Sequence, residues 1–464
     1  MFLGLTAALS ACLNTNDLAD DIADDVADDV AGDIANEETR AAGNEGPVLL
    51  AAGPAWQRPS FIPSATTSSA PGVAVDASGS AIAVWRSGSD LLASHYVPAA
   101  SSWSQPIVID SASTDLPHHP MIAFDSAKRA IVVWEQRSEV WANRFVPGTG
   151  WGTATRLSAT GASTVDPDLA VRSNGDAVVV WSAPLAPGGM RVHARRFLAA
   201  NGAWEATQLV DPEGTASSYQ ASVTVDGQGN AIAIWLNHGG GSGSKLEYSR
   251  FVPASGWSVP LPLVTNYSAF VRARVVADNT GNAVVVYSAS AQSIKARRFT
   301  PNGGWGAPQT VSIDGAAHPL ASPVLALAGN ASGNVVAVWQ ESDGNRPIMS
   351  SRFTPANGWA APVEIYATPD GDTSFATDLS IALDAANRSH LVWKVYDGSG
   401  GQSSNIWASG FVGTEAWRTA QIISGSPLPA VSPAVAIGPG GAALAIWAQG
   451  IASDERKVVT ARYN

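Results

Sequence analysis

Residues 223–235 read VTVDGQGNAIAIW, and residues 73–85 read VAVDASGSAIAVW. Both place an Asp three residues before a Gly and the Gly six residues before a Trp. The same aromatic position recurs as Trp85, Trp134, Trp181, Trp235, Tyr287, Trp339, Trp393 and Trp447, eight copies at intervals of 47 to 54 residues. Two apolar runs flank the Asp–Gly segment. Such a pattern predicts two antiparallel strands joined by a short turn. The turn needs one residue with positive φ, which Gly adopts without steric cost. The Asp side chain accepts hydrogen bonds from the turn amides. Lys128 and Asn387 stand where the other copies have Gly. Both flanking strands are apolar on both faces, as strands covered on two sides are.

Each copy continues in the same way. A third strand ends at an aromatic (Tyr96, Phe145, Phe197 and their equivalents, through Tyr463), and a Trp follows six or seven residues later in a phrase such as GTGWGTATRL, 148–157. That Trp is predicted to open a fourth strand. Four antiparallel strands per unit of about 50 residues predict a blade of a β-propeller. The last copy, ending at Tyr463, lacks a fourth strand, and the phrase GPAWQRPSFI, 53–62, is a fourth strand without the first three. The fold class expected is therefore all-β, an eight-bladed propeller over residues 53–464 in which Trp56–Ile62 pairs with the strand ending at Tyr463. Closure removes the edges that an open array would expose.

The chain has 464 residues and a formal net charge of −12. Residues 13–46 hold eleven Asp or Glu against a single Arg, so the rest is near neutral and a nucleic-acid partner is not expected. Apolar residues recur every fourth position there (Leu18, Ile22, Val26, Val30, Ile34), with Asp pairs between them. Like charges on neighbouring turns oppose a helix, so residues 12–52 read as a solvated, self-repelling spacer. Before it, MFLGLTAALSAC is a short apolar run with small residues ahead of Cys12, the one cysteine. It reads as a signal peptide over residues 1–11 and resembles the bacterial lipobox. That resemblance implies cleavage before Cys12, lipidation of Cys12 and, with Leu13 following, delivery to the outer membrane.

Loop lengths locate the variable face. The interval from core aromatic to third-strand aromatic runs from 11 to 18 residues, and that from the fourth-strand Trp to the next core aromatic from 29 to 34. The Asp–Gly turn, by contrast, is constant. In an up-and-down blade the second-to-third loop and the blade-to-blade connection emerge on one side, where binding residues sit on a rigid scaffold. That side is expected to carry Arg86, Glu135 and Lys394, each directly after its core aromatic. It should also carry Asp115, His118 and His119 from STDLPHHP, and Asn237, His238, Glu341, Asp343, Arg346 and Asp397 from longer loops. A polar mouth bearing carboxylates suits sugars or a protein segment. His118 and His119 are adjacent in a strand, where neighbours point to opposite faces, so no metal is expected; nor is a cofactor. The arginine before most third-strand aromatics lies on the constant side, where a contact with the turn Asp is plausible.

Two enzyme patterns fail on spacing. The repeated box of sialidases and the Gly-then-Trp motif of quinoprotein dehydrogenases place Gly and Trp closer than the six residues seen here. There is no G-x-S-x-G elbow. The D-x-x-G-N-A-x-A-x-W type of repeat resembles that of bacterial lipoproteins with β-propeller repeats, which implies the fold; the function expected is that of a lipid-anchored cell-envelope binding protein for glycan or protein ligands. The alternatives are a polysaccharide-acting hydrolase or lyase, and a periplasmic assembly scaffold.

Overall fold

The computed structural model describes residues 55–464 apart from 64–68, 112, 186–187, 213–215, 240–242, 268–271, 291–292, 314–319, 343–344, 369–373, 397–402, 414–415 and 451–455. Cys12, the apolar leader and the acidic segment lie outside the described residues, as do Asp343 and Asp397. The described residues form eight antiparallel sheets and no helix long and apolar enough to cross a membrane.

Blade 4 shows the plan. Its first strand, Ser217–Val225, pairs with Ala231–His238, which pairs with Ser244–Val252. The outer strand comes in two pieces, Gly256–Trp257 and Leu261–Tyr267, both on the third strand. In every blade the outer strand's second piece begins four residues after its Trp, from Trp103 and Ile107 to Trp417 and Gln421. Blade 8 follows the same rule across the chain termini. Trp56 bridges Tyr463, and four residues on, Ser60–Phe61 pairs with Lys457–Tyr463 at Ser60↔Thr460 and Phe61↔Val459. Gln57 N–H donates to Arg462 O at 2.7 Å and Ile62 N–H to Val458 O at 3.0 Å. The first strand of each blade touches the first strand of the next, and Ala430–Ile437 of blade 8 meets Ser69–Val75 of blade 1. The ring is closed, as the repeat count requires.

The second strands are the core. Ala81–Trp85 is at most 1 % exposed, and Trp85, Trp134, Trp181, Trp235, Trp339, Trp393 and Trp447 are all fully buried between blades. Each such Trp removes 150–250 Å² from water, about 4–6 kcal/mol gross. First strands keep partial exposure along their length, as in Val165–Val171, which fits a ring facing a central passage.

The turn chemistry matches its expectation. Asp226 Oδ1 accepts from the Gln228 and Asn230 amides at 2.8 and 2.9 Å. Asp125 does the same for Ala127 and Arg129. The position with positive φ is Gly79 at 81° and Gly229 at 87°, and Lys128 and Asn387 adopt it too, at 62° and 67°.

A second ring joins the blades on this constant side. Arg144, Arg196, Arg250, Arg298, Arg352 and Arg462 each lie over the third-strand aromatic of the following blade, at 4.1 to 5.6 Å from the ring centroid. Their partners are rings of the next blade, not the turn Asp, because the guanidinium face stacks on a π-surface that the repeat always supplies. Two blades depart in sequence and still make the joint. His95 tilts against Phe145 at 5.6 Å, and Arg418 stands in for Gly410 by covering Tyr463 at 5.7 Å. Arg462 over Tyr96 carries the series across the chain ends.

Candidate functional site

Opposite the core aromatic, the first strand is bulged. The pairing jumps between His118 and Met121, Val165 and Asp168, Tyr219 and Ser222, Thr377 and Ser380, and Val431 and Ala434. In each, the first extra residue has positive φ: His119 49°, Asp166 53°, Gln220 54°, Asp378 54° and Ser432 52°. A bulge re-aims the strand and gives way to the bulk of the Trp beneath. Asp166 Oδ2 accepts from Gln220 N–H at 3.1 Å, and Asp168 Oδ2 from Val223 N–H at 2.8 Å, so these carboxylates tie blade 3 to blade 4. Burial pushes the Asp168 carboxyl up from its ordinary value, and Arg274 opposes that shift.

The expected rim residues fall into three groups around the variable side. In blade 2, Glu135 is the cross-strand partner of His118, and both His118 and Asp115 are exposed. Asp115 pairs with Arg137 at 3.6 Å in the open, where such a pair contributes little. The His118 and His119 rings approach to 6.2 Å because the bulge breaks the alternation of a regular strand. Among the described residues no three His, Cys, Asp or Glu side chains converge to hold a metal. Arg86, in blade 1, pairs across to Ser69 and is half-buried.

In blade 4, Asn237 Nδ2 donates to Glu247 Oε2 at 2.9 Å, and Trp235 Nε1 reaches the same oxygen at 3.3 Å. His238 meets Tyr219 edge-on at 5.7 Å. Burial holds the His238 imidazole below the ordinary histidine value, so it is neutral at pH 7.

Blades 6 and 7 supply the third group. Lys394 is 1 % exposed and its Nζ stands 3.1 Å from Asp378 Oδ2 of the bulge. The same Nζ lies 4.4 Å from the Tyr396 ring. Phe375, the cross-strand partner of Tyr396, stacks on it at 4.7 Å with planes 26° apart. Phe375 remains 40 % exposed. Arg346 reaches over it at 5.9 Å and anchors Nη1 on Ser374 O at 3.2 Å. The corner is thus a partly exposed aromatic stack, covered by a guanidinium and backed by a buried ion pair.

Glu341 lies apart from this surface. It is 1 % exposed and accepts from Trp339 Nε1 at 3.3 Å. Gln136 and Gln449, two residues after their own Trp, do the same for Trp134 at 3.2 Å and Trp447 at 3.1 Å. The recurrence of Gln or Glu at this position was the available signal that Glu341 supports the core aromatic. Phe375, Tyr396 and Tyr219 were missed altogether, since rings at these places carry no repeat signature.

No known family model matches this sequence, and no curated protein does. Among solved structures the chain is similar to the BP39L lectin from Burkholderia pseudomallei, with 14% identity and a TM-score of 0.51 over 77% of this chain and 100% of that one. It also aligns with the polysaccharide lyase Uly1 at 11% identity and TM-score 0.47, covering 83% of this chain and 88% of that one. A six-bladed fucose-binding lectin from Aleuria aurantia aligns at 13% identity and TM-score 0.39, over 66% and 98% of the two chains. The likeness to the Burkholderia lectin, at 14% identity, extends to the fold alone; the eight-bladed all-β architecture is read from the sheets themselves.

Proposed function

We propose that this chain is a lipid-anchored glycan-binding protein of the bacterial cell envelope. In this reading Cys12 carries the lipid, the acidic segment holds the propeller away from the outer membrane, and the variable side presents the binding surface. The observation that carries the glycan assignment is the exposed Phe375 ring, 40 % accessible, stacked on Tyr396 with Arg346 over it. A pyranose lays its C–H face on an aromatic ring and offers hydroxyls at its edge. Fixed polar groups beside an apolar surface are what orient such a ligand. The lectin assignment of the Burkholderia protein with a similar fold accords with this use of the scaffold.

The test is a glycan array probed with the compact unit 52–464 and with its Phe375→Ala variant. Specific binding lost in the variant supports the proposal. Retained binding in Phe375→Ala moves the site elsewhere on the rim. Release of reducing ends from a bound polysaccharide replaces the binding protein by an enzyme, and an array blank for every glycan leaves a protein ligand as the reading. Radiolabelled palmitate incorporated into the full chain, and lost in Cys12→Ser, tests the anchor.

A further inference from the structure

We propose that blade 4 carries a second glycan subsite at Tyr219 and His238, so that each chain holds two sugars on one face. This rests on the glycan reading above and extends it. The eight residues three positions after the core aromatic are Gly88, Arg137, Pro184, His238, Ser290, Ser342, Tyr396 and Gly450. An aromatic ring occurs there in blades 4 and 7 alone. In both, that ring meets an aromatic from the first strand of the same blade: Phe375 against Tyr396 at 4.7 Å, and Tyr219 against His238 at 5.7 Å and 68°. His238 and Tyr396 occupy the same position at the mouth of the second-to-third loop, and Tyr219 lies two residues further along its strand than Phe375 does, opposite Leu236. Tyr219 and His238 are both half-buried.

The blade 4 corner has the chemistry of a neutral-sugar site. The Tyr219 ring supplies apolar surface. His238, uncharged at neutral pH, has Nδ1 3.4 Å from Ser244 Oγ, and a neutral imidazole both donates and accepts toward hydroxyls. Asn237, one residue back along the strand, points to the other face of the blade, where it pairs with Glu247 at 2.9 Å. The pair also receives the indole N–H of the core Trp235, so its position is set by the blade itself. Two such corners on one rigid ring convert weak single-sugar contacts into strong attachment to a polymer or surface that bears many sugars.

The experiment uses the full chain and four probes: the methyl pyranosides of glucose, galactose, mannose and fucose, each free and displayed on polyacrylamide. Calorimetry with the free glycoside that binds is expected to give two equivalents per chain. Tyr219→Ala and His238→Ala should each reduce this to one, as should Phe375→Ala. Each should weaken binding to the displayed sugar at least tenfold. His238→Ala guards against loss of folding in Tyr219→Ala, and unchanged circular dichroism is required of every variant. A single equivalent that Phe375→Ala abolishes and His238→Ala leaves intact overturns the second subsite while the glycan reading stands. If none of the four sugars binds the unmodified chain in either form, the second subsite falls, while the glycan reading falls only with a blank array.

Discussion

Trp56 meets Tyr463 edge-on, ring centroids 5.7 Å apart and planes at 63°, and so joins the two extremes of the propeller sequence in one blade. The seven other outer-strand Trp residues are half-buried, whereas Trp56 is 6 % exposed. The difference lies in His390, whose ring stands 5.7 Å from Trp56 and closes over it. Trp56→Ala removes an enclosed indole at the closing strand, and a loss of about 3–5 kcal/mol is expected. Trp257→Ala, at an equivalent half-open position, should cost less. Urea unfolding of the two variants checks the order; equal losses would show that blade 8 holds without its terminal strand.

His390 makes that seam sensitive to acid. It is fully buried, 4.4 Å from the Tyr463 ring, with Nε2 3.1 Å from Gly441 O. Burial lowers its pKa from 6.5 to about 4; Arg418 and Arg388 also oppose its charging, while Asp384 favours it. The unfolded chain therefore binds a proton below pH 6.5 that the folded chain refuses until about pH 4. Stability from this group is complete above pH 6.5 and is lost as pH falls toward 4, about 3 kcal/mol in all. Unfolding free energies of the native chain and of His390→Gln, measured from pH 7 to 4, should diverge in slope by up to one proton. Parallel curves would refute the assignment.

Gly175→Ala should be costly at a position far from any candidate site. The residue has φ of 90°, and a Cβ there meets Asp125 Oδ2 and the Arg129 guanidinium, which are themselves paired at 2.5 Å across the neighbouring turn. A left-handed backbone alone costs about 1–2 kcal/mol for a residue with a side chain, and displacing the ion pair adds to it. Gly148→Ala also carries a positive φ, 79°, but its Cβ meets nothing. Thermal melts of both variants separate backbone strain from collision; a Gly175→Ala loss no larger than that of Gly148→Ala removes the steric part of the argument.

The inter-blade arginines are open to a similar comparison. Arg352 lies 4.1 Å over Phe411 and also donates to Ser389 Oγ at 2.8 Å and Asn387 O at 2.6 Å. Burial lowers it to about 10, which leaves it cationic at neutral pH. Arg298 sits 5.6 Å over Phe353. Replacement by Met keeps the apolar stem and removes the charge. Arg298→Met should cost about 0.5–1 kcal/mol, and Arg352→Met more, because the buried Ser389 hydroxyl and the half-buried Asn387 carbonyl lose their donor. A double substitution of Arg352 and Phe411 that costs no less than the two singles added would argue against coupling between them.

Much of this fold could be read from residue spacing, because a turn of fixed length between strands of fixed length leaves a fixed trace. Lys128 in place of Gly still marked a position of positive φ, and Trp56 marked an outer strand although its blade lies at the other end of the chain. The site was harder to read. Phe375 and Tyr396 face each other only because Thr377 and Lys394 set their register, and neither ring belongs to the repeat. Lys394 was found, but its burial depends on Asp378 turning inward at a bulge that no spacing rule announces. The arginine positions were legible but their partners were not, since sequence cannot say that the ring of the following blade lies closer than the carboxylate of the turn.

The stacked guanidinium joint has one more implication. Because nearly every wedge presents a cation on one flank and a ring on the other, any wedge fits beside any other, and the joints themselves hold no tally. Duplication or loss of a whole 50-residue unit within the gene would leave each junction chemically intact and alter only the bore of the wheel. The tally is kept at one place, where the terminal strand at Trp56 must arrive beside Tyr463. Lineages with fewer or more spokes are therefore reachable by single recombination events, provided that this one meeting of ends is preserved.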